Sequence, residues 1–184
     1  TVKGINFENI RDAGNPIELA KYYVQNGADE LVFLDITATI EKRKTLLDLV
    51  EKIAKEINIP FIVGGGISSL EDAKAVIKAG ADKISINSAA VSNPKLISEI
   101  ANELGKQCIV VAIDTKLENK EWIVLIDGGK TSTPLKAIDW AKQVEKLGAG
   151  EILLTSMSND GMKNGFALDI LDAVSHAVNI PIIA

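Results

Sequence analysis

The sequence holds one cysteine, Cys108, and one histidine, His176, in 184 residues. A lone cysteine excludes an intrachain disulfide framework and fits a reducing cytoplasm. A lone histidine excludes a His-rich metal site. His176 sits in DILDAVSHAV, an amphipathic helical pattern in which it reads as an ordinary surface residue. Acid–base chemistry then falls to carboxylates, Lys or Tyr. No apolar run is long enough to cross a membrane, and no basic-then-apolar signal pattern opens the chain. Positive charge is also in deficit, with a net charge of -5. That argues against a general nucleic-acid binder and leaves room for a local phosphate pocket. There is no Rossmann fingerprint, P-loop or metal cluster, so neither cofactor nor metal is expected.

What is present is a rhythm. Short β-branched or aliphatic runs alternate with stretches of helical period: ELVFLD from Glu30, IPFIV from Ile59, KISIN from Lys83, CIVVAID from Cys108, EILLTS from Glu151 and IPIIA from Ile180. Asn15-Pro16, Asn93-Pro94 and Thr133-Pro134 each place a capping residue before a proline suited to a first helical turn. Ser68 with Glu71 has capping-box spacing. Gly27, Gly80, Gly105 and Gly148 stand at helix ends. Repeated strand–helix units imply a parallel sheet, either an open doubly wound one or a closed barrel. Most strands end on a polar residue or glycine: Asp35, Gly64, Asn87, Asp114 and Thr155. A barrel collects its chemistry at the C-terminal ends of many strands, so the pattern favours a (β/α)8 TIM barrel. Strand parity puts Lys83, Ser85 and Asn87 on one face, with Val110, Ala112 and Asp114, and Glu151, Leu153 and Thr155, likewise grouped.

The chain also repeats itself. Aligning Pro60 with Pro181 sets an offset of 121 residues, and residues 17–63 then match 138–184 without a gap. Identities include Gly27/Gly148, Glu30/Glu151, Asp48/Asp169 and Asn58-Ile59-Pro60/Asn179-Ile180-Pro181. The expectation is a single barrel domain of two related half-barrels, incomplete in this chain. The repeat predicts a further strand before Thr1 and further strand–helix units beyond Ala184. A chain limited to these residues would expose sheet edges and is expected to self-associate.

The segments KGINFENIRDAGNPIELAKYY, ELVFLDITAT, IPFIVGGGIS, DKISINSAA, VVAIDTK and GAGEILLTSMSNDGMKNG resemble the cyclase subunit of imidazole glycerol phosphate synthase, of histidine biosynthesis, along the whole chain. The resemblance implies a (β/α)8 barrel and a lyase acting on phosphoribulosyl-formimino aminoimidazole carboxamide ribonucleotide. Ammonia attacks this substrate, giving imidazole glycerol phosphate and an aminoimidazole carboxamide ribotide. It implies Asp114 as a general acid or base, with its partner aspartate on the strand preceding Thr1, and Lys3 in a loop that closes over substrate. It implies one phosphate site at Gly65, Gly66, Asn87 and Ser88, and part of a second at Asp160 and Gly161. Ser85 and Thr155 point into the mouth by parity. Asp35 has the opposite parity and stays outside the catalytic set.

Glu30, Lys83 and Glu151 each open a strand on the inward parity. Charges at the narrow end of a barrel are costly unless paired. In the resembled family such a cluster is a gate that admits ammonia from a docked glutaminase subunit; the plain alternative is an ion cluster closing the floor. LENKEWIVLIDGGK reads as a β-hairpin turning at Glu118–Lys120, and EKRK, residues 41–44, as a solvated loop and helix start. Two other readings stay open: the isomerase of the same pathway, and a catalytically incompetent barrel fragment or scaffold.

Overall fold

The computed structural model describes residues 2–5, 8–12, 14–35, 46–163 and 165–184, with the backbone alone for 2–5 and 8–12. The EKRK segment lies outside the described residues. Two strands, β1 (Val2–Ile5) and β2 (Glu8–Asp12), pair antiparallel as a separate hairpin. The rest forms one sheet flanked by seven described helices.

Six parallel strands make up that sheet: β3 (Leu31–Leu34), β4 (Phe61–Gly64), β5 (Lys83–Ile86), β6 (Ile109–Glu118), β9 (Glu151–Ser156) and β10 (Ile182–Ile183). They follow one another across the sheet in chain order, each bonded to the next. A doubly wound sheet reverses its order at a switch point. No such reversal occurs among the described strands, so the winding is that of a barrel. The antiparallel strands β7 (Glu121–Ile126) and β8 (Thr131–Lys136) branch from β6. Thus β6 and β9 are adjacent barrel strands with a hairpin excursion between them.

The helices between strands are α1 (Pro16–Gln25), α2 (Leu47–Ala54), α3 (Leu70–Lys78), the short α4 (Ser88–Ser92), α5 (Lys95–Leu104), α6 (Ala137–Leu147) and α7 (Leu168–Ser175). Their apolar stripes cover the outer face of the sheet. Ile84, Ile109, Val111, Ile113 and Ile152 there are fully buried, as is Ile97 on α5. Alternate residues of the same strands point the other way, toward the inside.

Local signals held unevenly. Asn15 caps α1, its Oδ1 accepting from the Ile17 N–H at 2.9 Å, and Pro16 opens the helix. Gly27, Gly80, Gly105 and Gly148 all have positive φ. The capping box is displaced by one residue: Ser69 accepts from the Asp72 N–H, and Asp72 accepts from the N–H and hydroxyl of Ser68. Glu71 takes no part in that pairing. Asn93 makes no side-chain cap; its carbonyl accepts from the Leu96 N–H instead.

The Thr133-Pro134 expectation is overturned, because both residues lie in β8 and the helix starts at Ala137. The Thr133 hydroxyl donates to the Val124 carbonyl on β7, so it is spent across the hairpin. Pro134 lacks an N–H and is tolerated because β8 pairs on one side only. Strand β6 runs four residues past the predicted Asp114 into this hairpin. The hairpin turns at Asn119-Lys120, both with positive φ, between the paired Glu118 and Glu121. That is the two-residue type I′ pattern that matches strand twist.

The offset of 121 residues recurs in the elements. Helix α2 maps residue for residue onto α7, and α1 onto nearly all of α6. The Leu31 N–H reaches the Pro60 carbonyl at 2.9 Å, and the Ile152 N–H reaches the Pro181 carbonyl at 3.0 Å. Among the described residues, β3 and β10 end the ladder. No described helix is long and apolar enough to cross a membrane.

Candidate functional site

Chemistry collects at both ends of the inward face. At the C-terminal end, β6 carries Asp114, paired in register with Thr155 of β9. Asp114 is only 7% exposed. Its Oδ2 accepts a hydrogen bond from Asn87 Nδ2 at 2.9 Å, at the end of β5. Burial raises the Asp114 pKa from 3.8 to about 6, against the lowering effect of hydrogen bonds from Asn87 and Thr155; the charge of Asp160 adds to the rise. A carboxyl that titrates near neutrality can both take and give a proton.

Ser85 lies one inward step below Asn87 and is buried, its Oγ without a hydrogen-bond partner among the described residues. Asn87 Oδ1 is likewise buried and unpartnered. Such unpaired buried atoms are rare in a folded interior, and two of them fall together at the end of β5.

Gly65 and Gly66 follow β4 with φ of 94° and 73°. A Cβ on Gly65 would stand 2.2 Å from the Asp35 carbonyl oxygen, so only glycine fits there. Asp35 itself follows β3, and its N–H donates to the Gly64 carbonyl. Beyond this bend Ser69 caps α3. The loop therefore turns toward a helix N-terminus, where backbone N–H groups can meet an anion.

Ser88 opens α4, and its Oγ accepts from the Asp127 N–H at 3.0 Å, so it anchors the β7–β8 turn. On the other side Asp160 and Gly161 border a cavity of about 380 Å³ with Thr155, Ser156 and Asn159. Ser156 donates to Asn159 Oδ1, and Met157 folds over Gly129. The strand of Lys3 is described only as backbone, so its side chain lies outside the described residues.

At the opposite end three charges meet. Lys83 Nζ lies 2.7 Å from Glu30 Oε1 and 2.7 Å from Glu151 Oε1. Burial works against the Lys83 charge, but its hydrogen bonds to Glu151 and Glu30 outweigh that and raise its pKa. Glu151 Oε2 is buried without a partner among the described residues. His176 is exposed at the end of α7, as the sequence indicates. Among the described residues no group of His, Cys, Asp or Glu could hold a metal ion.

Asp114, Asn87 and Thr155 are thus brought together, as are Glu30, Lys83 and Glu151. The family resemblance implies that the LENKEWIVLIDGGK hairpin lies at the mouth, but the sequence does not show which of its residues reach the site. The Leu125 carbonyl reaches Asn87 and the Asp127 N–H reaches Ser88. The available signal was the Asp127-Gly128-Gly129 turn sequence, whose three residues take successive positive φ values.

A profile of the histidine biosynthesis protein family matches residues 1–184. The chain belongs to this family. It is 60% identical over 184 residues to the imidazole glycerol phosphate synthase subunit HisF of Flavobacterium johnsoniae, and 61% identical over 183 residues to that of Pyrococcus furiosus. The HisF subunit of Clostridium botulinum is 59% identical over 185 residues. Each alignment covers all of this chain and 73% of the relative. The matched stretch includes the segments that build both ends of the inward face.

Proposed function

We propose that the chain is the cyclase of histidine biosynthesis. In this reading it uses ammonia to convert phosphoribulosyl-formimino aminoimidazole carboxamide ribonucleotide into imidazole glycerol phosphate and aminoimidazole carboxamide ribotide. The observation that carries the proposal is Asp114, a buried carboxyl with a pKa of about 6 at the C-terminal end of a central strand, in a chain 60% identical to HisF subunits. Ring closure needs protons moved at more than one nitrogen or oxygen, and Asp114 is poised to move them near neutral pH. Thr155 and Asn87 hold its carboxylate.

The substrate carries a phosphate at each end. Gly65 and Gly66, with Ser88 across the mouth, would receive one of them, while Asp160 and Gly161 border the second site. Lys3 would contribute from the N-terminal hairpin. Glu30, Lys83 and Glu151 would form the entry for ammonia, with a glutaminase subunit docked on that face. Cytoplasmic residence would follow from the pathway. The match between α2 and α7 at the repeat offset supports descent from two related half-barrels.

The test is turnover of the purified full-length chain with substrate and ammonium chloride. Formation of imidazole glycerol phosphate that requires ammonia, and falls by about 10²–10⁴ in Asp114→Asn, is the expected result. Aminoaldose–aminoketose isomerisation without ammonia would instead make it the pathway's isomerase.

A further inference from the structure

Asn87 lies at the end of β5 beside two phosphate-binding candidates, yet its side chain is turned away from that task. An asparagine amide has two N–H donors and one acceptor oxygen. Here Nδ2 donates to Asp114 Oδ2 at 2.9 Å and reaches the Leu125 carbonyl at 3.4 Å. What remains is Oδ1, buried and unpartnered, and an acceptor repels a phosphate oxygen. The opposite orientation of the amide would set Oδ1 against an ionised carboxylate. Only the nitrogen-first arrangement is attractive once Asp114 has lost its proton.

We propose that the side chain of Asn87 serves not to bind phosphate but to position Asp114, clamped between the β6 carboxylate and the β7 backbone so that the carboxylate keeps one orientation in the mouth. This deepens the cyclase reading and rests on it. The surroundings make the amide's contribution measurable. Strand β9 faces Asp114 with the neutral Thr155, and β7 with the Leu125 backbone. The loop after β9 brings the negative Asp160. Among these described neighbours no cation opposes burial, so the ionised form of Asp114 depends on the donors of Asn87 and Thr155.

The experiment uses Asn87→Ala and the isosteric Asn87→Asp in the full-length chain. The pH profile of ammonia-dependent kcat/KM is recorded with binding of inorganic phosphate. Loss of a charge-assisted donor should move the acid limb upward by about one pH unit in Asn87→Ala, and further in Asn87→Asp. Phosphate affinity should change less than about twofold. An unmoved profile with phosphate affinity down roughly tenfold would overturn the proposal. Should Asn87→Ala fail to fold, carbon-13 NMR titration of the Asp114 carboxyl in Asn87→Leu, which removes the donors without adding a charge, decides the same question. That titration also separates the two claims: parental turnover in Asp114→Asn sinks the assignment of Asp114, while the titration alone decides whether Asn87 holds it.

Discussion

Glu30 and Glu151 meet on one nitrogen although three strands separate theirs. Both Oε1 atoms lie 2.7 Å from Lys83 Nζ, while β4, β5 and β6 stand between β3 and β9 in the sheet. Neighbouring strands are about 4.8 Å apart, so in a flat sheet the two carboxylates would be roughly 19 Å from each other. The sheet must curl strongly for one lysine to reach both. The triad therefore closes the floor of the described part of the barrel, and its members come from alternate strands, as layers in such barrels do.

Lys83→Ala leaves two carboxylates facing each other with no cation between them. Each side chain is between 19% and 28% exposed, so water offsets part of the penalty. A loss of about 1–3 kcal/mol is expected in denaturant unfolding. If the triad also admits ammonia, the ratio of glutamine-driven to ammonia-driven turnover changes in the reconstituted complex. A shift in stability with an unchanged ratio would reduce the triad to a structural ion cluster.

Asp114→Asn should lower ammonia-dependent turnover by about 10²–10⁴, the usual contribution of a positioned proton-transfer group. Its effect on stability has the opposite sign. The folded pKa is raised from 3.8 to about 6, so the native state holds this proton more tightly than the unfolded chain. That contribution is complete below pH 3.8 and is lost as pH rises through about 6. Above that the parent bears the cost of a buried charge. The amide variant should therefore be more stable by roughly 2 kcal/mol at about pH 7.5, and the gap should close below about pH 4. Urea midpoints at the two pH values check it.

Gly65→Ala puts a methyl group 2.2 Å from the Asp35 carbonyl oxygen and 2.7 Å from its carbon, at a φ of 94°. The obstacle is backbone, which cannot swing aside as a side chain can. A loss of about 2–4 kcal/mol is expected, with weaker binding of phosphate-bearing ligands as the loop shifts. Thermal melts and phosphate titration measure the two effects.

Lys120→Gly acts in the other direction. Lys120 has a φ of 68° in the two-residue turn between β6 and β7 and is exposed. A residue with a Cβ is strained there and glycine is not. A gain of about 0.5–1 kcal/mol, seen as a Tm a few degrees higher, is the expected outcome. No gain would place Lys120 in an interaction that offsets its strain.

Much of this arrangement could be read from the amino-acid order because it depends on period and local chemistry. Alternation by twos along KISIN, VVAID and EILLTS was enough to place Lys83, Asp114, Glu151 and Thr155 on one face. Glycine at helix ends and Asn15 before Pro16 are decided within a few residues of chain. The same local logic failed at Thr133-Pro134. A cap and a strand edge offer that pair equal local satisfaction, and the hairpin partner Val124, nine residues away, decided between them.

Which residues line the inward face, where most strands begin and end, and which family the pattern resembles all follow from the order of residues, because side-chain period and turn chemistry are short-range. What those residues touch does not follow from it. Folding turned the Asn87 amide onto Asp114, and it tied Ser88 to the Asp127 backbone. It also drew Glu30 and Glu151 onto Lys83. These are contacts between strands distant in the chain, set by the curvature of the sheet, and curvature is a property of all the strands together.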